Sequence, residues 1–421
     1  MRFVIFIDAL DPNDLNPWFE QYVTHIYNPG IPKVTPNVVS QIMTGKNQEN
    51  LKFMRSTPFN QPRTIHIEDK TILHYATDKE LRIMQYGIPF CSKIELPEGS
   101  ISTYDHFLHN NQNVPPILKF AKDNYRFHKD DEELIFHSYV DQTSLIFSTI
   151  RTIARNGNFD MFFIGYHFID AYTHWYHEEN KRRLVEALSY ELKDLNRYGE
   201  ILFFSDHGST EQKKVFFVNK WLYEKNYLSY EIYEKLIKYH KTYNSEFPDQ
   251  LNLEHTHVFI NEDKTKFYSC DAFDAMIDKT DKATQEDRDR LRTELMETGY
   301  FNDVYLKEEY LDKLAKYYDF CPDIIPDAKE GVLVSCNIHP KAEYGLNMDL
   351  LRGGWHSSRG VVGCTEKLDY VKIHKPYDIY TILEKFVDKQ TPDAKNREEK
   401  KKTAENHFTG IGEVFDQLGY F

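Results

Sequence analysis

Asp170 and His174 stand four residues apart in Ile169-Asp170-Ala171-Tyr172-Thr173-His174, so one helical turn presents a carboxylate and an imidazole on the same side. Asp206-His207-Gly208 supplies a second such pair beside a glycine that permits a sharp exit from the preceding segment. His356 lies in Gly353-Gly354-Trp355-His356-Ser357-Ser358-Arg359-Gly360, which reads as a glycine-flanked loop able to approach a ligand closely, and Asp8 ends the apolar run from Phe3 to Ile7. Three carboxylates and three imidazoles form an oxygen and nitrogen set suited to two divalent ions, zinc first, with manganese as the alternative. A hydroxyl joins them. Thr35 opens Thr35-Pro36-Asn37 and the stretch closes on Thr44-Gly45, which predicts a short helix with Thr at its cap, Pro at its first position and Gly past its end. That geometry puts the hydroxyl where free amides and the helix dipole favour an anion, the setting for phosphoryl chemistry once a base or metal activates it. Singly, each residue has a plainer role, as a cap or a satisfied structural histidine. The conjunction argues for chemistry.

Elements must bring these residues together. Phe3-Val4-Ile5-Phe6-Ile7, Met161-Phe162-Phe163-Ile164-Gly165-Tyr166 and Ile201-Leu202-Phe203-Phe204 are continuous apolar runs, as strands covered on both faces require. Between the second and third, Leu184, Leu188, Leu192 and Leu195 recur at helical spacing. Strand, helix, strand is a crossover unit, so the expected fold is α/β, a mostly parallel central sheet with helices on both faces. In such sheets ligands gather at the carboxyl ends of strands, where the acids that follow these runs would meet.

The chain of 421 residues carries 52 Lys and Arg against 66 Asp and Glu, a net charge of −14, which argues against stable nucleic-acid binding. No apolar run reaches membrane-spanning length, and Asp8 interrupts the first run without a small-residue cleavage site, so neither a membrane protein nor a signal peptide is expected. Five scattered cysteines, none in a CxxC pair, suggest neither a disulfide framework nor a thiolate zinc site, and point to a reducing, cytoplasmic compartment. Residues 1–387 read as one catalytic domain with substrate-side loops at about 46–150 and a cap-like insertion at about 213–328. Residues 388–421 read as a charged linker followed by a helix that docks on the body through Ile411, Val414, Phe415, Leu418 and Phe421.

In these features the chain resembles the alkaline phosphatase superfamily, and within it the type I phosphodiesterase and nucleotide pyrophosphatase branch. The resemblance rests on Asp8 at the end of the first strand, Thr35 ahead of Thr44-Gly45, Asp170 and His174, Ser205-Asp206-His207-Gly208, and Gly354 to His356. It implies an alkaline-phosphatase-like fold with two zinc-type ions, one held by Asp8, Thr35, Asp206 and His207, the other by Asp170, His174 and His356. It implies Thr35 as nucleophile, a phospho-threonine intermediate, and a small phosphoester or nucleotide as substrate. Three departures concern substrate class. The His-Gly that usually follows the Thr-Gly is replaced by Lys46-Asn47-Gln48-Glu49-Asn50, the hairpin near Ala272 to Gln285 is reduced, and the phosphate-binding Asn has only Asn37, Asn47 and Asn60 as candidates.

Within the superfamily, phosphomonoesterases, phosphonate hydrolases and phosphomutases are the alternatives, and a metal-binding pseudoenzyme acting through partner binding is the alternative from another class. Thr35-Pro36-Asn37 lacks the Cys/Ser-x-Pro-x-Arg context that sulfatases need. Tyr166, Phe168, Tyr172, Trp175 and Tyr176 could stack on a planar leaving group or simply fill the core.

Overall fold

The computed structural model describes residues 1–15, 17, 19–51, 69–89, 95–98, 100–102, 132–156, 159–174, 178–230, 260–261, 263–269, 276–315, 318–336, 345–347, 354–365 and 372–389. The candidate residues Asn60, Trp175 and Tyr176 and the C-terminal helix expected over 411–421 lie outside them.

The first six strands are β1 (Arg2–Ile7), β2 (Val23–Tyr27), β3 (Ile83–Tyr86), β4 (Ile101–Ser102), β5 (Met161–Tyr166) and β6 (Glu200–Phe204). After them come β7 (Gly208–Glu211), β8 (Lys214–Phe217), β9 (Phe267–Ser269), β10 (Ile277–Lys279), β11 (Phe301–Leu306) and β12 (Ile324–Ala328). The last four are β13 (Val332–Ser335), β14 (Gly345–Asn347), β15 (Gly354–Ser357) and β16 (Gly360–Cys364). The helices are α1 (Thr35–Thr44), α2 (Ile72–Asp78), α3 (Glu132–Asn156), α4 (Phe168–Thr173), α5 (Glu178–Leu195), α6 (Val218–Glu224), α7 (Gln285–Glu297), α8 (Lys307–Tyr310) and α9 (Asp378–Asp388).

A seven-stranded sheet runs in the order β2-β16-β6-β1-β5-β3-β4. The three apolar runs are its neighbouring central strands β6, β1 and β5, paired in parallel as expected. β16 is the exception, antiparallel to both β2 and β6, so the sheet is mostly but not purely parallel. Alternation along β1 explains why its run is apolar throughout. Phe3, Ile5 and Ile7 pack under α3 and α5 with Phe162, Ile164, Leu184 and Leu188. Val4 and Phe6 face the other way, among Val38, Ile42, Phe163, Phe204, Ile379 and Leu383 of the opposite layer. Each such fully buried side chain contributes about 1.5–3 kcal/mol through area removed from water. A second, four-stranded sheet, β11-β12-β10-β9, has its own apolar cluster built from Phe267, Ile277, Leu291, Leu295, Val304 and Ile324.

Candidate active site

Parallel pairing fixes where the acids fall. Arg2 to Ile7 of β1 register against Met161 to Tyr166 of β5, and the Asp8 amide donates to the Tyr166 carbonyl at 2.9 Å, so Asp8 lies beside His167 at the carboxyl edge of the sheet. β6 ends there too, on Ser205, Asp206 and His207, all fully buried. After β5 the chain turns at once into α4, which carries Asp170, and His174 caps its far end with its amide on the Asp170 carbonyl at 3.2 Å.

His356 arrives from a part of the chain that reads as a loop. The structure places it on β15, whose antiparallel ladder with β7 sets His356 opposite Ser209 and Ser357 opposite Gly208. The His207 and His356 rings stack with centroids 3.8 Å apart, and Trp355 stacks on His356. Gly208 is required by closeness: a Cβ there would sit 2.3 Å from Asp11 Oδ2 and 2.6 Å from Ser357 Oγ. The sharp exit expected of it is instead the start of a strand.

The six acid and imidazole residues do converge. His174 Nε2 lies 3.1 Å from Asp170 Oδ1 and His356 Nε2 lies 3.8 Å from the same oxygen. His207 Nε2 lies 3.3 Å from Asp206 Oδ2 and 3.7 Å from Asp8 Oδ1. Ligand atoms fall into two groups, each within 4.8 Å: Asp170, His174 and His356, and Asp8, Asp170 and His207. Asp170 belongs to both groups, where the family resemblance assigned it to one ion.

The hydrogen bonds orient the imidazoles outward from the backbone. A carbonyl only accepts, so His207 Nδ1 donates to the Gly208 carbonyl at 3.0 Å and His356 Nδ1 donates to the Lys33 carbonyl at 2.9 Å. Each leaves its Nε2 lone pair toward the acids, as a metal-binding histidine requires. Four buried atoms in this cluster have no hydrogen-bond partner: Asp8 Oδ1, Asp170 Oδ1, Asp206 Oδ2 and His207 Nε2. Unsatisfied buried polar atoms are costly and uncommon, and four at one point fit divalent cations. Burial, then the nearby Asp206 and Asp170, pushes the Asp8 carboxyl well above the usual carboxylate range. Burial would push Asp170 up as well, but His174, His356 and His207 together hold it below its ordinary value. His207 is lowered, chiefly by burial, which keeps it neutral and able to ligate.

Thr35 opens α1, but not as its cap. Val34 is the N-cap, Thr35 is the first helical residue, and among the described residues no hydrogen bond engages the Thr35 hydroxyl. Pro36 has no N–H, and the Asn37 amide is already bonded to the Val34 carbonyl at 3.0 Å, so the helix start offers fewer free amides than the sequence suggests. Gly45 closes the helix in the left-handed region at φ 68°, as expected. Two residues before Thr35, the Lys33 carbonyl is the acceptor that orients His356.

Asn37 is fully buried; its Nδ2 donates to the Pro32 carbonyl at 3.0 Å and its Oδ1 accepts from Gln41, so in this structure it braces the turn before α1. Tyr166, Phe168 and Tyr172 are likewise core residues. A cavity of about 420 Å³ is lined by Lys33, Asn47, Tyr310 and Ser358 among others, and by none of the seven candidate site residues.

Two residues escaped sequence reasoning. His167 donates from Nε2 to the Gly87 carbonyl at 2.7 Å and sets Nδ1 2.9 Å from Asp8 Oδ2; aligning β1 with β5 in parallel, which puts His167 level with Asp8, would have found it. The Tyr27 hydroxyl donates to the Ser205 and Asp206 carbonyls from β2, and its pairing through an antiparallel β16 leaves no signal in the sequence.

No family model matches the chain, and no curated protein matches its sequence. Solved structures do match. A phosphonoacetate hydrolase from Sinorhizobium meliloti 1021, in complex with phosphonoformate, superposes with a TM-score of 0.59 at 13% identity, over 91% of this chain and 95% of that one. Murine ectonucleotide pyrophosphatase / phosphodiesterase 5 superposes with a TM-score of 0.52 at 14% identity, over 92% of this chain and 94% of that one, and so does an inactive form of it in complex with AMP. At these identities the likeness is one of architecture, and it agrees with the strand order and with the place of the acids at the carboxyl edge: the chain has the alkaline-phosphatase-like fold.

Proposed function

We propose that this chain is a metal-dependent phosphoryl hydrolase acting on phosphodiester or nucleotide pyrophosphate bonds, with Thr35 as nucleophile. The observation that carries the reading is the convergence of Asp8, Asp170, Asp206, His174, His207 and His356, with four orphaned buried atoms among them, at the carboxyl edge of the sheet. Asp8, Asp206 and His207 would hold one divalent ion, zinc by the donor set, and His174 and His356 the other, with Asp170 in reach of both. Two such ions supply Lewis-acid stabilisation of the attacking and leaving oxygens.

The chain's own residues do the rest. The Thr35 hydroxyl, fixed at the start of α1 and free of a capping bond, would lose its proton to solvent and form an O–P bond as the ester O–P bond breaks, the leaving oxygen departing with the bonding pair and taking a proton from water. Water then cleaves the O–P bond of the phospho-threonine, releasing the phosphate monoester that retains the second ester arm and restoring the hydroxyl. His207 and His356 are held in one tautomer by the Gly208 and Lys33 carbonyls. Lys33 and Lys46 flank the nucleophile, yet each is taken by a carboxylate, Lys33 by Asp327 at 2.9 Å and Lys46 by Asp69 at 2.5 Å. Neither is spare to clamp the second negative charge of a monoester, which favours a singly charged diester.

The test is kcat/KM with zinc or manganese supplied. Bis(p-nitrophenyl) phosphate or a nucleotide should exceed p-nitrophenyl phosphate, and p-nitrophenyl sulfate should be inert. A monoester preference of about tenfold, worth roughly 1.4 kcal/mol, overturns the diesterase assignment. The superposition on a phosphonoacetate hydrolase favours a phosphonate as the second reading, and turnover of phosphonoacetate above that of the diester would establish it.

A further inference from the structure

Lys181 is a charged residue on the buried face of α5, 1% exposed. Its ammonium donates to Ser209 Oγ at 2.8 Å and pairs with two carboxylates, Asp14 Oδ2 at 2.9 Å and Glu178 Oε1 at 2.8 Å. Asp14 closes the short turn that follows Asp8, its amide on the Asp11 carbonyl at 2.9 Å. Asp11, at the other end of that turn, accepts from Ser357 Oγ at 2.9 Å and pairs with Arg359 at 3.2 Å. One turn thus grips both strands of the β7/β15 ribbon, at Ser209 through Lys181 and at Ser357 directly. These are the residues two beyond His207 and one beyond His356, and Ser209 is the ladder partner of His356.

Burying a lysine among acids is poor value for stability, because desolvation offsets most of the attraction and apolar replacements are often neutral. A cluster of this kind is better explained by what it fixes. We propose that Lys181 is a positioning residue for His207 and His356, holding the ribbon that carries both imidazoles against the turn after Asp8; this rests on the reading that those imidazoles bind metal. Apart from the backbone ladder with β15, the side-chain hydrogen bond that holds Ser209 among the described residues is the one from Lys181 Nζ to its buried hydroxyl at 2.8 Å.

The experiment is calorimetric titration of zinc alone into the metal-stripped full chain, with thermal unfolding of each variant as a second readout. Lys181→Met and Ser209→Ala should bind zinc at least about tenfold more weakly than the parent, the size usual for groups that orient metal ligands, whereas Ser209→Thr, which keeps the hydroxyl, should bind as the parent does. Arg288→Met, which breaks a half-buried ion pair between α7 and Glu308 of α8, should lower the melting temperature and leave zinc affinity unchanged. Parent-like zinc affinity in Lys181→Met and Ser209→Ala overturns the proposal. If Lys181→Met fails to fold, Ser209→Ala against Ser209→Thr decides alone. A parent that binds no zinc overturns instead the metal-dependent reading on which the proposal stands.

Discussion

Two groups of carboxylates in this molecule handle their charge in opposite ways. At the sheet edge Asp8, Asp170 and Asp206 crowd together, and among the described residues none of the three pairs with a lysine or arginine; their partners are imidazoles. On the second sheet's helices the acids are matched. Asp287 caps α7, takes Lys266 at 2.8 Å and Arg290 at 2.6 Å, and the hydrogen bond from Lys266 is the leading cause that brings it down to about 2. Glu308 meets Arg288 in a two-pronged pair and is likewise brought down to about 2 by that bond. The second sheet neutralises itself, whereas the sheet edge leaves positive charge to be brought from outside. A region that stabilises its acids internally serves folding; one that leaves them opposed offers ligand atoms to a cation.

The largest test of this contrast is at the nucleophile. Thr35→Ala should lower kcat by roughly 10⁴-fold or more while zinc content, read by elemental analysis, stays at the parent's value. Because Val34 and not Thr35 is the cap, the melting temperature should move by no more than about 0.5 kcal/mol would cause. Retained turnover would remove the covalent mechanism.

Next comes the cation itself. Zinc at about a thousand times its dissociation constant should stabilise the stripped protein by about 4 kcal/mol, seen as a rise in melting temperature that chelation reverses. Asp8→Asn should shrink that rise by weakening one of the two ions and yet make the metal-free form more stable than the metal-free parent, since it removes one of three opposed acids. An unchanged melting temperature on adding zinc would erase the distinction between the two regions. Within the cluster, His174→Ala should weaken one equivalent of zinc, whereas Asp170→Ala should weaken both, because its carboxylate belongs to both ligand groups.

The smallest effect is the acid response. Asp287 and Glu308 have folded values below their unfolded ones, so their contribution is complete above about pH 4.5 and is lost as pH falls toward 2. Asp8 in the metal-free protein has the opposite sign: its folded value is raised, so it opposes folding at neutral pH and that opposition fades as pH falls. Hydrogen exchange of the stripped protein should therefore show α7 amides losing protection on acidification, by about 0.2–1 kcal/mol per partly exposed pair, with no matching loss at β1.

Asp8, Asp170 and Asp206 were legible because each follows an apolar run, and parallel pairing leaves one edge for all three to share. Thr35 was legible as a helix opener but displaced by one position, since Pro is tolerated at either of the first two helical residues and local pattern does not separate them. His356 was recognisable only by its glycine flanks. Its strand, β15, exists because β7 pairs with it, and a partner more than a hundred residues away leaves no local period. For Asn37 and Tyr172 the sequence left the direction open, because proximity along the chain to Thr35 or Asp170 says nothing about which way a side chain turns; both are buried. Lys181 stands against the amphipathic pattern of its own helix, and only the acids that surround it, from another segment, explain its burial.

β16 slots between β2 and β6 although it follows β6 by more than 150 residues. As the polypeptide leaves the ribosome, β1, β3, β5 and β6 can pair among themselves, but one side of β6 must wait with its backbone amides and carbonyls bare until Gly360–Cys364 emerges. That interval is an aggregation hazard of the kind open strand edges present. The same late arrival delivers His356, four residues ahead of β16, so the candidate ligand cluster is completed in the step that seals the sheet.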